Sequence, residues 1–486
     1  MTFRITEDGQ RIQLVSFDLN MEKTAFRSFF TKKSKAAEFN VLVDRGLWDG
    51  MDKFVDEENS IAIGLWKELE NFAKKTGFEC DVPGLESHLN TRLPQDKYLK
   101  YVDRLLSEIV DERGLPISAR DYQIEGAYRG LKYKFCTQEL ATSAGKTLIF
   151  YIYNSFLRDA GRITSKHKAL VIVPNVSLVA QTAEKFELYS VGKRPWKVVT
   201  IGGKSKFKNK KFQKKFEESE IVISTYQSLQ NIPPEVFEVF RVVNVDECHK
   251  SRGEVIRAIL LACKNWEYRL GLSGTVRVEE KYSDFFRVQE TVGPLVMVLP
   301  AKHLIDNEYS PNIKIKILDL IYDTSDPYIQ AYWKLKEKGA EMYATPKAFG
   351  KDMLSIERQF LFDNEERLDM ISRLIKGLGK NALVLFSDVK NGYGKRIHEK
   401  LLTWTKNAFY IDGSVDSTDR DIYKNVMENA EYVTYLDFKD KKVCINQYDL
   451  VPLTDGTTKM AKDLQLTDDI LDSWIETLPK LDEEKM

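Results

Sequence analysis

Read for the spacing of its apolar positions, the chain falls into stretches of different texture. Between about residues 115 and 305, short apolar runs alternate with segments of helical spacing. The runs at 169–173, 198–201, 221–223, 242–245 and 268–272 are strand candidates. Strands alternating with helices predict a parallel α/β sheet. One more strand is expected at 135–140, just ahead of a small-residue turn. Its residues Thr137, Gln138 and Glu139 are more polar than a central strand wants, so position rather than composition places it.

The flanks differ. Residues 1–110 read as a small α+β module: alternation at 12–17 and an apolar run at 41–43 predict strands, and Trp48-Asp49-Gly50 predicts a turn. Leu65, Trp66, Leu69 and Phe72 share one face of a helix expected over 63–75 that stops near Gly77. The charged segment 96–113, broken by Leu99, Tyr101, Leu105 and Ile109, reads as a solvated helix joining this module to the next. Beyond Ser310-Pro311 a second α/β unit is expected, with strands at 313–317, 383–387 and 409–413 and a helix over 325–343. After about residue 429, β-like pieces and an Asp455-Gly456 turn replace that alternation.

Composition narrows the picture. A chain of 486 residues exceeds one core, and 43% apolar with 30% charged residues is a globular balance. Net charge is zero, so any nucleic-acid surface must be local. The five cysteines (Cys80, Cys136, Cys248, Cys263 and Cys444) are scattered without metal-ligand spacing, which predicts neither disulfide framework nor zinc site. No apolar run approaches the roughly 18 residues of a membrane span, and the N-terminus lacks a signal-peptide core. A cytoplasmic protein with no membrane partner is expected.

Candidate chemistry centres on Leu140-Ala141-Thr142-Ser143-Ala144-Gly145-Lys146-Thr147, which reads as a phosphate-binding loop feeding a helix. Small residues let the backbone approach an anion, Lys146 reaches β- and γ-phosphates, and the Thr147 hydroxyl binds Mg²⁺. Leu140 occupies the leading position, where that loop pattern wants Gly. Asp246 and Glu247 end an apolar strand, where a carboxylate for Mg²⁺ and a group to orient water are needed, with His249 close behind. Upstream, Arg120 or Tyr122 offers a stacking face for adenine and Gln123 an amide for its edge; helix capping by Asp121 is the competing reading. The run from Lys204 through Lys206 to Lys215 holds seven lysines and no acid. It fits a nucleic-acid backbone contact or a solvated amphipathic helix with Phe207 and Phe212 inward, and the two are compatible. Ser273-Gly274-Thr275 ends a strand beside the acids and offers hydroxyls to couple them to a second domain.

In this order and spacing the motifs resemble those of superfamily 2 helicases: residues 120–123 the adenine motif, 143–147 motif I, 174–181 motif Ia, 246–249 motif II and 273–275 motif III. The resemblance implies RecA-like sheet domains, ATP and Mg²⁺ as cofactors, and Lys146, Asp246 and Glu247 as the catalytic set. It assigns Arg120, Tyr122, Gln123, Thr142, Ser143, Ala144, Gly145, Lys146, Thr147 and His249 to the nucleotide, with Thr147 and Asp246 on Mg²⁺. Pro174, Gln181, Gly202, Gly203, Ser224 and Thr225 match nucleic-acid contacts, beside Lys204 and Lys206, and Ser273, Gly274 and Thr275 match the coupling motif. Stretches 39–40, 46–50, 63–65 and 77–78 resemble the nucleic-acid-binding N-terminal module of tailed-phage members. Those members imply a motor on branched DNA and RNA–DNA hybrids in recombination, repair and replication control, in the cytoplasm of an infected cell.

The organisation that follows is an N-terminal nucleic-acid-binding module at 1–110, a RecA-like ATP-binding domain at 111–308, a partial second RecA-like domain at 309–431 and a β-rich tail at 432–486. The resemblance stops near Glu431. No Thr-Gly of motif V and no Gln-x-x-Gly-Arg-x-x-Arg of motif VI follow, and the arginines of motif VI are worth orders of magnitude in rate. The alternative expectation is therefore an ATP- and DNA-binding fragment, inactive until a second polypeptide supplies those motifs. Residues 432–471 resemble part of an intein or Hint domain, with Cys444 a candidate nucleophile and Asn446-Gln447-Tyr448-Asp449 where a Thr-x-x-His is wanted. An unrelated β appendage is the competing reading.

Overall fold

The computed structural model describes residues 1–311 except 40–42, 44–45, 112–113, 191–194, 203–208 and 278–282. Beyond these it describes 325–339, 346–378, 382–385, 392–405, 408–412, 415, 423 and strands within 432–460. The chain divides into two compact units, Met1–Ile315 and Lys316–Met486.

The first unit opens with β1 (Thr2–Ile5) and β2 (Arg11–Ser16), which form an antiparallel sheet with β5 (Ser60–Ala62). Strands β3 (Thr31–Lys33) and β4 (Met51–Lys53) pair separately, with Gly50 at φ 71° turning the chain into β4. Helices Asn20–Phe29 and Trp66–Thr76 pack Phe26, Leu69 and Phe72 beneath, and the second ends at Gly77, φ 74°. The expected strand at 41–43 falls mostly on residues outside those described. Phe135 and Phe286 of the following α/β layer belong to the same apolar cluster as Phe3, Phe26 and Phe72. A Cβ on Gly64 would stand 2.0 Å from the Gln289 carbonyl oxygen, so only glycine permits this approach.

That layer is a seven-stranded sheet built from β6 (Phe135–Leu140), β7 (Lys168–Val173), β8 (Val198–Ile201), β9 (Ile221–Thr225), β10 (Phe240–Asp246), β11 (Tyr268–Ser273) and β12 (Leu295–Leu299). Every pairing in it is parallel, in the order β12-β6-β11-β10-β7-β9-β8. Ala169, Val171 and Val173 join one buried cluster and Leu170 and Ile172 another. Both faces are covered, which is why the run is apolar without a gap. The polar strand β6 holds its place because its side chains have partners. Thr137 Oγ1 donates to Gly293 O at 2.9 Å and Gln138 Nε2 to Gly126 O at 2.7 Å, while Glu139 Oε2 accepts from the amides of Val276 and Arg277.

The helix Gln95–Leu106 corrects an expectation. It is not a solvated linker: Tyr98 and Val102 are fully buried, and Tyr98 Oη donates to Ile124 O at 2.8 Å. Spaced four apart, those two residues form the apolar stripe that docks it.

The second unit contributes helices Pro327–Lys338, Pro346–Asp363, Glu365–Leu378 and Tyr393–Leu402. A small core gathers Leu368, Tyr393, Ile397 and Leu401. Of the strands expected at 383–387 and 409–413, residues 383–385 and 409–412 are described and form none, and the rest lie outside the described residues; Leu383 and Leu385 are 84% and 85% exposed. The run at 313–317 lies outside the described residues. Two hairpins follow, β13 (Tyr432–Phe438) with β14 (Lys441–Asn446) and β15 (Leu450–Pro452) with β16 (Thr458–Met460). Among the described residues, no helix is long and apolar enough to cross a membrane.

Candidate nucleotide site

The order β6-β11-β10 sets three strand ends side by side. Glu139 pairs with Ser273 and Leu272 with Asp246, so the loop after β6, the Ser-Gly-Thr turn and the acidic pair share one carboxyl edge. Ligands bind at that edge in open parallel sheets. Ser143 (φ 69°) and Gly145 (φ 74°) bend the loop into helix Lys146–Asp159, with Thr142, Ser143 and Gly145 exposed. A Cβ on Gly145 would meet Gln123 Nε2 at 2.3 Å. Gln123 holds the loop from behind: its Nε2 donates to Ala144 O at 2.8 Å, and its Oε1 accepts from the Arg120 amide at 2.9 Å.

Lys146 Nζ lies 2.6 Å from Glu247 Oε1 and 3.7 Å from Asp246 Oδ1. Glu247 adopts φ 50°, a left-handed conformation that costs a residue with a Cβ about 1 kcal/mol or more and aims its carboxylate back into the site. His249 Nδ1 stands 2.8 Å from Ser273 Oγ, and Ser273 Oγ donates to Glu247 Oε2 at 3.2 Å. The Thr275 amide donates to the same Ser273 hydroxyl, while a Cβ on Gly274 would lie 3.7 Å from Leu140 O and Thr142 Oγ1. Loop, acids and turn are thus one connected structure.

The two acids are pushed apart electrostatically. Hydrogen bonding from His249, with Lys146 adding to it, holds the Glu247 carboxyl down at about 2. Burial raises Asp246, and Lys146 opposes that rise. Asp246 Oδ1 is buried without a hydrogen-bond partner. A buried carboxylate oxygen with no hydrogen bond, and with the Lys146 ammonium 3.7 Å away, fits a divalent cation beside a phosphate loop. Among the described residues no cluster of three or more His, Cys, Asp or Glu could hold a metal, so such an ion would share its coordination with nucleotide phosphates, as Mg²⁺ characteristically does.

The other predicted residues line the same edge further along. Pro174, Gly202 and Thr225 stand at the carboxyl ends of β7, β8 and β9, and Gln181 is half-buried on helix Val176–Tyr189. The Ser224 and Thr225 side chains turn inward. Ser224 Oγ donates to Ile201 O at 2.8 Å, and Thr225 Oγ1 accepts from the Ser228 amide at 3.2 Å. Gly203, Lys204 and Lys206 lie outside the described residues. The basic run continues into helix Lys210–Glu218, with Phe212 and Phe216 packed inward and Lys210, Lys211, Lys214 and Lys215 exposed. Two residues that sequence reasoning missed are Asn154 and Asn244, both fully buried, whose side chains bond at 3.0 Å and tie the phosphate-loop helix to the acid-bearing strand. An asparagine amid Val242, Val243 and Val245 was the available signal.

The chain is similar to known proteins along most of its length. Residues 116–278 match the family described as type III restriction enzyme, res subunit. The chain is 25% identical over 422 residues to the ATP-dependent DNA helicase uvsW of Enterobacteria phage T4, covering 85% of this chain and 76% of that one. It is 28% identical over 216 residues to Endoribonuclease Dicer homolog 1 of Arabidopsis thaliana, which spans 42% of this chain and 10% of the relative. A crystal structure of T4 UvsW aligns with TM-score 0.52 at 22% identity over 88% of this chain and 78% of that one. A crystal structure of the UvsW helicase from bacteriophage T4 aligns with TM-score 0.51 at 24% identity over 61% of this chain and 100% of that one. The fold of the first unit is RecA-like α/β.

Proposed function

We propose that this chain, an ATP-dependent helicase by its similarity to the phage T4 enzyme, is a translocating motor on branched DNA or RNA–DNA hybrids in phage recombination, repair and replication. The observation that carries the nucleotide chemistry is Lys146 set between Asp246 and Glu247 at the head of a helix. Bound MgATP supplies the phosphoryl group and the cation that neutralises its charge. Lys146 would exchange its acidic partners for phosphate oxygens, Thr147 and Asp246 would hold the cation, and the small residues from Thr142 to Gly145 would let backbone amides face the phosphates. A carboxylate held at about 2 is a weak base, so Glu247 orients water as a fixed acceptor, and its proton affinity rises once Lys146 leaves. The Glu247–Ser273–His249 contacts pass its position to the turn that couples nucleotide to nucleic acid. Pro174, Gln181 and Gly202, with the exposed lysines Lys210, Lys211, Lys214 and Lys215, form the nucleic-acid track. The place of Pro174 and Gly202 just past the carboxyl ends of β7 and β8 supports this. The work place of such a motor is the cytoplasm of an infected cell.

A second reading has an observation of its own. The exposed Leu383 and Leu385 support a second domain that awaits strands and arginines from another polypeptide. The hairpins β13–β14 and β15–β16 support an intein- or Hint-like tail as the junction. DNA-stimulated ATP hydrolysis by the purified chain, with Glu247→Gln as control, separates the readings. Turnover abolished by the substitution is the expected result. Binding of ATP and DNA without turnover would sink the complete motor and favour the fragment.

A further inference from the structure

We propose that Tyr309 is a positioning residue of the nucleotide site: its ring backs the Arg120 guanidinium, and the purine of a bound nucleotide stacks on the other face of that plane. The inference rests on the nucleotide reading above and extends it to a residue on a different segment.

Tyr309 follows helix Ala301–Asp306, where Glu308 at φ 57° turns the chain back. The amides of Tyr309 and Ser310 both donate to Leu304 O, at 2.7 and 3.1 Å. Leu304 is fully buried in the cluster that also holds Tyr122, so the turn is anchored to the core. The Arg120 guanidinium carbon sits 4.2 Å from the centroid of the Tyr309 ring. Arg120 Nη1 donates to Tyr122 Oη at 2.7 Å, and the buried Tyr122 ring meets His303 edge-on with centroids 6.1 Å apart. One face and one edge of the guanidinium are thereby fixed, while Arg120 stays partly exposed.

A guanidinium is planar, weakly hydrated and stacks on π-faces from either side. Held in this way it is a flat shelf for a heterocycle. The shelf is in register with the phosphates, since Gln123 bonds both the Arg120 amide and Ala144 O of the loop. Gln123 keeps one N–H and one lone pair to read a purine edge. An Arg120 without its backing would swing among rotamers and pay that entropy on binding. Tyr309 also lies in the stretch leading out of the first unit, so base occupancy and the exit segment share one stack.

Titration calorimetry of the full chain with MgATP and with magnesium tripolyphosphate, which has no base, tests this. Tyr309→Ala should weaken ATP roughly tenfold, the usual scale of a lost stacking layer, and leave tripolyphosphate unchanged; Tyr309→Phe should retain wild-type ATP affinity. Unchanged ATP affinity in Tyr309→Ala, or equal losses for ATP and tripolyphosphate, overturns the inference. A wild-type chain that binds neither compound overturns the nucleotide site itself.

Discussion

Residues 169–173 and 383–385 are both short, aliphatic and set among helices, and they meet opposite fates. In β7, Leu170 and Val171 are wholly buried, because β10 and β9 flank the strand and apolar clusters cover both its faces. Leu383 and Leu385 are 84% and 85% exposed, and among the described residues nothing pairs with them. Apolarity makes a segment able to be a strand; partners on both sides make it one. The first unit has its full complement of neighbours and a completed carboxyl edge. The second unit displays aliphatic runs for which the described residues offer no sheet.

The most powerful way to break this contrast is amide hydrogen exchange. Amides of β7 should open only with global unfolding, at least about a thousandfold more slowly than those at 383–385. Comparable protection in the two runs would show that the second unit forms a sheet in solution. Side-chain truncation is the next largest effect. Leu170→Ala should cost about 2–5 kcal/mol in a denaturant melt of the first unit, whereas Leu385→Ala should stay within about 0.5 kcal/mol. A large loss from Leu385→Ala would place a hidden partner against it.

A smaller effect tests whether the N-terminal module belongs to the well-packed region. Gly64→Ala forces a methyl group towards the Gln289 carbonyl and the Phe135 ring, and should cost about 1–3 kcal/mol by overpacking. A neutral result would mean that the module rides loosely on the sheet. The last test concerns the site and reads a change with pH rather than a single loss. The folded-state Glu247 carboxyl sits at about 2, below its ordinary 4.5. Its ionised form is therefore favoured by folding, and that stabilisation is complete above pH 4.5 and lost as pH falls towards about 2. The stability gap between wild type and Glu247→Gln, followed by denaturant melts across this window, should shrink with falling pH. A constant gap would exclude the contacts from His249 and Lys146 as its source.

These residues also mark how far the sequence could be read. The strands β7 and β9 were legible because burial on both faces leaves unbroken aliphatic runs, and β10 because three valines surround its one asparagine. Lys146, Asp246 and Glu247 were legible because phosphate and cation chemistry permits few residue types at those spacings. Strand β12 was not predicted: it lies at the sheet edge, and Val298 is 39% exposed, which blurs its pattern. The docking of helix Gln95–Leu106 was missed because Tyr98 and Val102 sit among charges, and periodicity names a face without naming what covers it. The meeting of Tyr309 with Arg120 bridges distant segments and leaves no local trace in the sequence. The described parts of the strands expected at 383–387 and 409–413 form none for the converse reason: local pattern is present, and among the described residues no long-range partner meets it.

The place of β6 between β11 and β12 has a consequence for how the protein comes into being. Its neighbours are Tyr268–Ser273 and Leu295–Leu299, so the segment carrying the phosphate loop is translated long before the strands that support it. On the ribosome, Lys146 emerges early and waits for most of the first unit before it has a pocket to stand in. Non-local pairings of this kind fold slowly. Nucleotide affinity should therefore arise in the nascent chain as a single late event, once Leu299 has cleared the exit tunnel.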